Sequence, residues 1–290
     1  MDDEPTPDQP RRRVAIVTDS AADLPPALRE RARITVVPVD VVVDGRPLHD
    51  GEAIEGATFA ERAAGVVETA APPPKRFAAA FRALGETHDA VVAVVVSSRL
   101  GRVYDAARIA AGTVAGEVPV QVVDSRSASM GVGFQALLAA NLADSGVDAD
   151  EIAATLRAEE WRFPVAFFVD TLDHLQQGGR IGRAAALIGE VLQLKPLLRI
   201  DEGQVVPLER TRTRVRAIDG LVDFVRALGE VEQVAALYTS DPADGEMLAR
   251  RLRAECRLPA ERVFAVRVGP TVAAHIGPGA MGVAVADVEG

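Results

Sequence analysis

The sequence predicts an α/β protein with a parallel-sheet N-terminal domain and a smaller α+β C-terminal domain that contains antiparallel strands. In the first half, short Val- and Ile-rich runs alternate with Ala-rich helical stretches, the pattern of a parallel sheet covered by helices. In the second half, a hairpin pattern interrupts this alternation. The 290 residues favour two domains, at roughly 150 residues per domain. We expect residues 1–13 to form a disordered tail and the domains to span 14–161 and 162–290.

The strands and helices of the first domain follow from local patterns. Three nearly continuous apolar runs predict strands that are buried on both faces: residues 14–17, 90–96 and 118–123. Two stretches between these runs predict helices: residues 77–84 and 104–114. Asp148 with Glu151 three positions later has capping-box spacing, with Asp in place of the usual Ser or Thr, and predicts a helix that runs to about Glu160.

Two segments predict antiparallel hairpins. The β-branched run 34–43 ends in Asp44-Gly45, a type I′ turn signal, and residues 47–49 return from it. In the second domain, residues 197–200 and 205–208 flank the polar segment 201–204 in the same way. An apolar stripe with helical spacing precedes that second hairpin and predicts a helix that Pro196 stops. The stripe consists of Ala184, Leu187, Ile188, Val191 and Leu192.

Charge and cysteine count exclude several classes of function. The 32 Lys and Arg against 42 Asp and Glu give a net charge of −10, which disfavours binding to nucleic acid or to an anionic membrane surface. No run approaches the roughly 18 apolar residues of a membrane helix, so we expect no stable membrane insertion. Cys256 is the only cysteine, which leaves no intramolecular disulfide and no cysteine zinc cluster. The N-terminus lacks a signal-peptide pattern, and we expect a cytoplasmic protein.

Nucleotide and nucleophile motifs are absent or stand in the wrong context. Residues 277–282 match Gly-x-Gly-x-x-Gly, but a Val-rich, strand-like segment follows where a dinucleotide site needs a helix. There is no P-loop lysine motif and no Gly-x-Ser-x-Gly, and the four histidines show no metal-ligand spacing. We therefore expect no cofactor.

Three aspartates, Asp19, Asp124 and Asp170, each follow a strongly apolar strand. Ligands of doubly wound sheets lie beyond the carboxyl ends of the strands, where aspartates can hold Mg²⁺ or act in phosphoryl transfer. One hypothesis is therefore a metal-assisted phosphohydrolase or phosphotransferase. The other is that these carboxylates accept backbone hydrogen bonds and shape their loops.

The remaining polar residues are hydrogen-bond donors placed at strand ends and in glycine loops. Thr69 precedes three prolines, Ser97 ends the most hydrophobic run, Arg180 lies in a Gly-Gly-Arg-Ile-Gly loop and His275 precedes Ile-Gly-Pro-Gly. Donors without an activated nucleophile favour recognition of an anion over bond cleavage.

Over residues 14–288 the chain resembles the DegV family of bacterial fatty-acid-binding proteins. Five segments in the same order carry the resemblance: VTDSAADLP at 17–25, VDS at 123–125, DTLDHL at 170–175, GGRIG at 178–182 and HIGPG at 275–279. The resemblance implies two α/β domains, the larger with a Rossmann-like parallel sheet, and a slot between them that holds one long-chain fatty acid. It also implies that the carboxylate is presented, in some members, to a separate ATP-dependent kinase subunit, while the binding protein supplies no ATP site.

The resemblance also implies a set of head-group residues. Thr69 and Ser97 match the hydroxyls that bind the carboxylate, and Arg180, Arg212 and His275 match polar residues around it. The match of Arg212 is the least specific, because three other arginines crowd the same stretch: Arg210, Arg214 and Arg216.

The chain departs from the family pattern at two places. Ala70-Ala71 stand where the family has Ser-Gln. Residues 98–104, Ser-Arg-Leu-Gly-Arg-Val-Tyr, replace Ser-x-Leu-Ser-Gly-Thr-Tyr, which removes two hydroxyls and adds the cation of Arg102. Arg102 is expected either to point into solvent or to lean toward the head group.

The apolar stripe supplies candidates for the acyl channel: Leu187, Ile188 and Val191. The alternative is that the stripe belongs to the ordinary core of the second domain. Interdomain clefts are where large apolar pockets form, so a channel between the two predicted domains is physically reasonable.

Overall fold

The computed structural model describes residues 13–43, 46–49, 67–188 and 195–287. The predicted disordered tail therefore lies outside the described residues, apart from residue 13. Three sheets organise the rest: a four-stranded parallel sheet, a three-stranded antiparallel sheet and a six-stranded mixed sheet. The fold class is thus confirmed as α/β with a parallel sheet followed by a mostly antiparallel one. All strands of the six-stranded sheet come from residues after 162, and the exact domain boundary stays a prediction.

The parallel sheet has the strand order β2-β1-β6-β7. Its strands are β1 (Val14–Asp19), β2 (Thr35–Val37), β6 (Ala90–Val95) and β7 (Val120–Asp124). Helices cover both faces, so β1 and β6 are buried along their whole length. Burial on both faces explains why these strands are apolar at nearly every position rather than at alternate ones.

The three-stranded sheet contains the first predicted hairpin. Its order is β4-β3-β5, with β3 (Asp40–Val43), β4 (Arg46–His49) and β5 (Val67–Ala70). Val43 pairs with Arg46 in antiparallel register, which confirms the hairpin, while its turn at 44–45 lies outside the described residues. The run 34–43 is two strands rather than one. Pro38 has no amide hydrogen to donate, and β2 ends just before it.

The mixed sheet has the order β10-β9-β8-β13-β11-β12, and its pairs are antiparallel except β11–β12. Its strands are β8 (Val165–Phe168), β9 (Leu197–Asp201), β10 (Gln204–Glu209), β11 (Val231–Tyr238), β12 (Val263–Arg267) and β13 (Met281–Asp287). The predicted second hairpin is β9–β10, closed by Glu202 and Gly203 with φ of 47° and 77°. Two consecutive positive φ angles are the signature of a type I′ turn.

Nine helices are found among the described residues: α1 (Pro26–Arg31), α2 (Pro74–Gly85), α3 (Val103–Thr113), α4 (Met130–Asp144), α5 (Ala149–Ala158), α6 (Asp173–Gln177), α7 (Arg214–Leu228), α8 (Pro242–Glu255) and α9 (Pro270–Ile276). The predicted cap of α5 is present, since Asp148 Oδ1 accepts a hydrogen bond of 2.9 Å from the Glu151 amide. In this part of the chain no helix combines the length and the apolar character needed to cross a membrane.

The helix predicted from the stripe 184–192 is wrong for its described part. Gly182–Leu187 forms a 3₁₀ helix, and Ile188 has extended backbone with φ −70° and ψ 130°. Ala184 and Leu187 are buried in one cluster with Val205 of β10. Packing against the hairpin therefore decides the local conformation, and the helical spacing of the apolar residues does not. Val191 and Leu192 lie outside the described residues.

Candidate functional site

A narrow cavity lies between the parallel sheet and the mixed sheet. The space between its lining atoms, including its opening to solvent, is about 920 Å³. The N-terminal half lines it with Ala21, Val39, Thr69, Ala71, Val96, Leu100, Gly101, Arg102, Val103, Ala128 and Ser129. The C-terminal half lines it with Val165, Phe167, Leu175, Arg180, Ile200, Val205, Leu237, Val268, Thr271, Val272, His275, Ile276, Ala280, Met281 and Gly282. The lining is mostly apolar, with a few polar side chains.

Strand alternation supplies one wall of the cavity. Val165 and Phe167 of β8 face the cavity, while Ala166 and Phe168 face the core beneath helices α7 and α8. Side chains along a strand point to opposite faces of the sheet, so one strand serves both the cavity and the core.

The polar part of the lining is built around Thr69 and His275. Thr69 lies on β5, and His275 lies in the last turn of α9, which packs against β5. Thr69 Oγ1 and His275 Nε2 are 2.8 Å apart and share a hydrogen bond. The structure thus joins two residues that are 206 positions apart in the sequence, and both line the cavity.

His275 is held as a neutral imidazole. Burial, and to a lesser extent the nearby positive charge of Arg180, lower its pKa from 6.5 to about 4. Its Nδ1 is buried and has no hydrogen-bond partner among the described residues. The ring packs against Gly178, where a Cβ would lie only 2.4 Å from Nδ1, so only glycine fits at that position.

Arg180 contributes a positive charge next to this pair. Its Nε donates to the carbonyl of Leu100 at 2.7 Å and its Nη1 to the carbonyl of Gly178 at 2.5 Å. These two bonds fix the guanidinium between the two halves of the molecule. Desolvation by burial lowers the pKa of Arg180 from its ordinary value.

Ser97 lies next to the cavity but does not line it. It is fully buried at the end of β6, and its Oγ donates to the carbonyl of Gly203 at 2.8 Å and accepts from the Arg99 amide at 3.2 Å. Gly203 sits at the tip of the β9–β10 hairpin, where a Cβ would lie 2.4 Å from Ser97 Oγ. The hydroxyl is therefore engaged in a contact between the two halves, and its role as a carboxylate ligand stays a prediction.

Arg212 is exposed just beyond β10 and is not part of the cavity lining. Its neighbour Arg214 points inward instead. Arg214 donates to the carbonyl of Gly279 at 2.7 Å, pairs with Asp244 at 2.5 Å and lies over the ring of Phe168, 5.4 Å from its centre. The structure does not bring Arg212 to the Thr69–His275 pair.

Of the acyl-channel candidates, neither Leu187 nor Ile188 belongs to the cavity lining. Leu187 is buried in a cluster with Phe167 and Val205, two residues that do line the cavity. Ile188 is 45% exposed. Val191 lies outside the described residues. Sequence reasoning missed the strand residues that form the apolar wall, although their near-continuous apolar runs marked them as buried.

The strand-end aspartates hold loops together. Asp19 is fully buried, and its two carboxylate oxygens accept hydrogen bonds of 2.8 Å from the amides of Ala21 and Val96. Asp124 Oδ1 accepts from the amides of Ser98 and Arg126. These contacts match the backbone role that was the second hypothesis for these residues.

Asp170 belongs to the other half of the molecule. It follows β8, is exposed, and pairs with Lys195 at 2.5 Å. In the described ranges, no group of three or more His, Cys, Asp or Glu side chains is placed to hold a metal ion. Within the described part of the chain, Asp19, Asp124 and Asp170 therefore make backbone or ion-pair contacts and form no shared metal site.

The cavity combines two chemical environments. One part offers a hydroxyl, a neutral imidazole and a guanidinium, which together can replace the hydration of an anionic head group. The rest offers apolar side chains to an alkyl tail. This arrangement fits an amphipathic anion.

Comparison with known proteins agrees with this geometry. The chain is 40% identical over 280 residues to a DegV domain-containing protein of Streptomyces coelicolor, covering 94% of this chain and 98% of that protein. It is similar to a solved structure described as fatty acid binding of a DegV family protein from Thermus thermophilus, at 33% identity and TM-score 0.87, covering 95% of this chain and all of that one. A fatty acid binding DegV from Bacillus subtilis matches at 29% identity and TM-score 0.85, covering 96% of this chain and all of that one.

The family model described as "Uncharacterised protein, DegV family" matches residues 13–288. This match spans all five segments that carried the resemblance in the sequence. The chain belongs to the DegV family.

Proposed function

We propose that this protein binds one long-chain fatty acid in the cavity between its two halves and does not itself catalyse a reaction on it. The observation that carries the proposal is the Thr69–His275 hydrogen bond beside Arg180 in an otherwise apolar cavity. The DegV proteins of Thermus thermophilus and Bacillus subtilis, described as binding fatty acids, support it.

The tail supplies the binding strength. Burying about 14 methylenes at about 0.8 kcal/mol each gives a gross gain on the order of 11 kcal/mol. Part of this gain is lost to immobilising a flexible chain. The aliphatic part of the lining, including Val165, Val205 and Leu237, is suited to such a tail because these side chains have no hydrogen-bond donor or acceptor.

The head contacts fix the orientation of the ligand. A carboxylate loses several kcal/mol of hydration on burial unless donors replace it. With His275 neutral, its Nε2–H can donate to Thr69 Oγ1, which leaves the threonine hydroxyl hydrogen for the carboxylate. Arg180 Nη2, which lies beside Gly101 of the cavity lining, is a further donor. We assign these three side chains to the head group.

Ser97 and Arg212 remain proposed head-group residues on the family resemblance. Ser97 would have to exchange the Gly203 carbonyl for the ligand, which requires a small displacement of the hairpin tip. Arg212 would have to turn inward from its exposed position.

The test of binding is the identity of the molecule that co-purifies with the protein. We expect protein purified from a bacterial host and then denatured to release a long-chain fatty acid at close to one per chain, measured by mass spectrometry.

Thr69→Val should lower the affinity for palmitate by about tenfold, because one hydrogen bond to a charged group is lost. Thr87→Val is the matched control, since Thr87 is exposed and is not part of the cavity lining. An empty cavity after incubation with fatty acids contradicts the proposal.

We further propose that the bound carboxylate is presented to a separate ATP-dependent kinase subunit. In that reaction a carboxylate oxygen attacks the γ-phosphorus of ATP and forms acyl phosphate and ADP. The support is the family resemblance together with the absence of a P-loop motif from the sequence. Fatty-acid-loaded protein, ATP and an extract of the source organism should yield acyl hydroxamate in the presence of hydroxylamine. Equal yield without this protein contradicts the partner role.

A further inference from the structure

Arg102 lies at the mouth of the cavity with no acidic partner. It lines the cavity and is exposed, at the position just before helix α3. Throughout the described ranges, its side chain forms no ion pair or hydrogen bond, and no Asp or Glu lines the cavity. Asp105, one turn along α3, forms no ion pair with it. An unpaired cation at this mouth is notable in a chain of net charge −10.

A second positive group, Arg180, lies beside the loop that carries Arg102 and also lines the cavity. A Cβ at Gly101 would lie 3.7 Å from Arg180 Nη2, so the loop that carries Arg102 runs beside the Arg180 guanidinium. The first turn of α3 follows directly, and the N-terminal amides of a helix add positive potential. The mouth therefore carries two guanidinium groups and a helix N-terminus on the side where Thr69 and His275 lie.

We propose that Arg102 is a specificity-determining residue that draws ionised lipids into the cavity and orients them head first. This inference rests on the proposed binding of fatty acids. Arg102 is exposed, so it acts on the approach of the ligand through its charge, while Thr69, Arg180 and His275 hold the ligand after entry. A charge at the rim of a site changes the association rate and its salt dependence more than the dissociation rate.

The chain offers a matched control three residues away. Arg99 lies on the same loop and is also exposed, but it is not part of the cavity lining. Arg99→Gln and Arg102→Gln therefore remove the same charge from the same loop, and they differ in whether the charge faces the mouth.

The experiment measures association of cis-parinarate, a fluorescent fatty acid, by stopped flow. We expect Arg102→Gln to slow association by about threefold at low salt and the difference to vanish at about 0.5 M salt, because screening shortens the reach of the charge. Arg102→Lys should restore the rate. Arg99→Gln should slow association clearly less, and binding of uncharged hexadecanol should be the same in all variants.

The possible results distinguish a failure of this inference from a failure of the proposed function. If parinarate binds but Arg99→Gln and Arg102→Gln behave alike, or Arg102→Gln has no effect, the role of Arg102 is refuted and fatty acid binding stands. A slowing that persists at high salt or extends to hexadecanol would show a packing effect and also refutes the role. If the wild-type protein binds neither probe, the proposed function itself fails.

Discussion

Acidification of the ligand-free protein should destabilise it through His275. The folded protein holds this ring neutral, with a pKa of about 4, whereas the unfolded chain protonates it at about its ordinary 6.5. A histidine whose folded pKa is depressed stabilises the fold above the unfolded pKa. That stability is lost as the pH falls from 6.5 toward 4.

The size of the effect follows from the gap between the two values. The difference between 6.5 and about 4 corresponds to about 3 kcal/mol of stability between neutral pH and pH 4. About 2 kcal/mol of this is already lost at pH 5, because the unfolded chain is then almost fully protonated at this residue while the folded protein is not.

Urea denaturation at pH 7.5 and at pH 5 measures this loss. The free energy of unfolding should fall by about 2 kcal/mol more for the wild-type protein than for His275→Gln, since all other titrating groups contribute to both variants. NMR of the imidazole resonances provides an independent reading. The reasoning is refuted if His275 gains its proton between pH 6 and 7, or if both variants show the same pH dependence.

Bound fatty acid should reduce this pH dependence. A carboxylate within a few ångströms of His275 favours the protonated ring and raises its pKa, which moves the folded value toward the unfolded one. The wild-type protein loaded with palmitate should therefore lose less stability than the empty protein between pH 7.5 and pH 5. An unchanged loss on loading would place the head group elsewhere.

Three further substitutions test the described contacts by urea denaturation. Gly178→Ala should cost about 1–3 kcal/mol, because the new Cβ would lie 2.4 Å from Nδ1 of His275 and displace the ring. Ser97→Ala should cost about 1 kcal/mol by removing the hydrogen bond to the carbonyl of Gly203. Asp19→Asn should cost about 2–3 kcal/mol, since one of two buried backbone hydrogen bonds is lost, and this cost should not depend on Mg²⁺.

Matched controls sharpen these three predictions. Gly112→Ala places a methyl group in open space on α3 and should stabilise the protein slightly. Ser98→Ala removes an exposed hydroxyl next to Ser97 and should be neutral. If Mg²⁺ stabilises the wild-type protein and Asp19→Asn abolishes that effect, the aspartates bind a metal and their backbone role is insufficient.

The fold could be predicted where one local signal dominates. Strands β1 and β6 are buried on both faces, so residues 14–17 of β1 and all of β6 are apolar and the pattern is unambiguous. The β9–β10 hairpin has a turn sequence that accommodates positive φ at Glu202 and Gly203. The stripe beginning at Ala184 wrongly predicted a helix. Its buried residues Ala184 and Leu187 pack against β10, and the spacing of apolar residues alone does not show whether they are buried by such a contact or by one face of an α-helix.

The candidate site could be predicted at its polar end only. Thr69, Arg180 and His275 stand in motifs that the family resemblance marks, and the structure places all three along one cavity. The partner of Ser97 could not be foreseen, because it depends on how the tip of a distant hairpin docks on the end of β6. The apolar wall was missed for the same reason, since it depends on which face of β8 is turned toward the other half of the molecule.

The strand-end aspartates show why sequence position alone does not separate a metal ligand from a structural carboxylate. Both kinds follow an apolar strand at the carboxyl edge of a parallel sheet. The difference lies in the neighbouring strand: β6 runs beside β1, and its end places the Val96 amide 2.8 Å from Asp19 while the Ala21 amide takes the other oxygen. Each oxygen of this buried carboxylate accepts an amide hydrogen bond, and these bonds offset the cost of burying its charge. The strand order, which no local pattern encodes, therefore decides the chemistry of this residue.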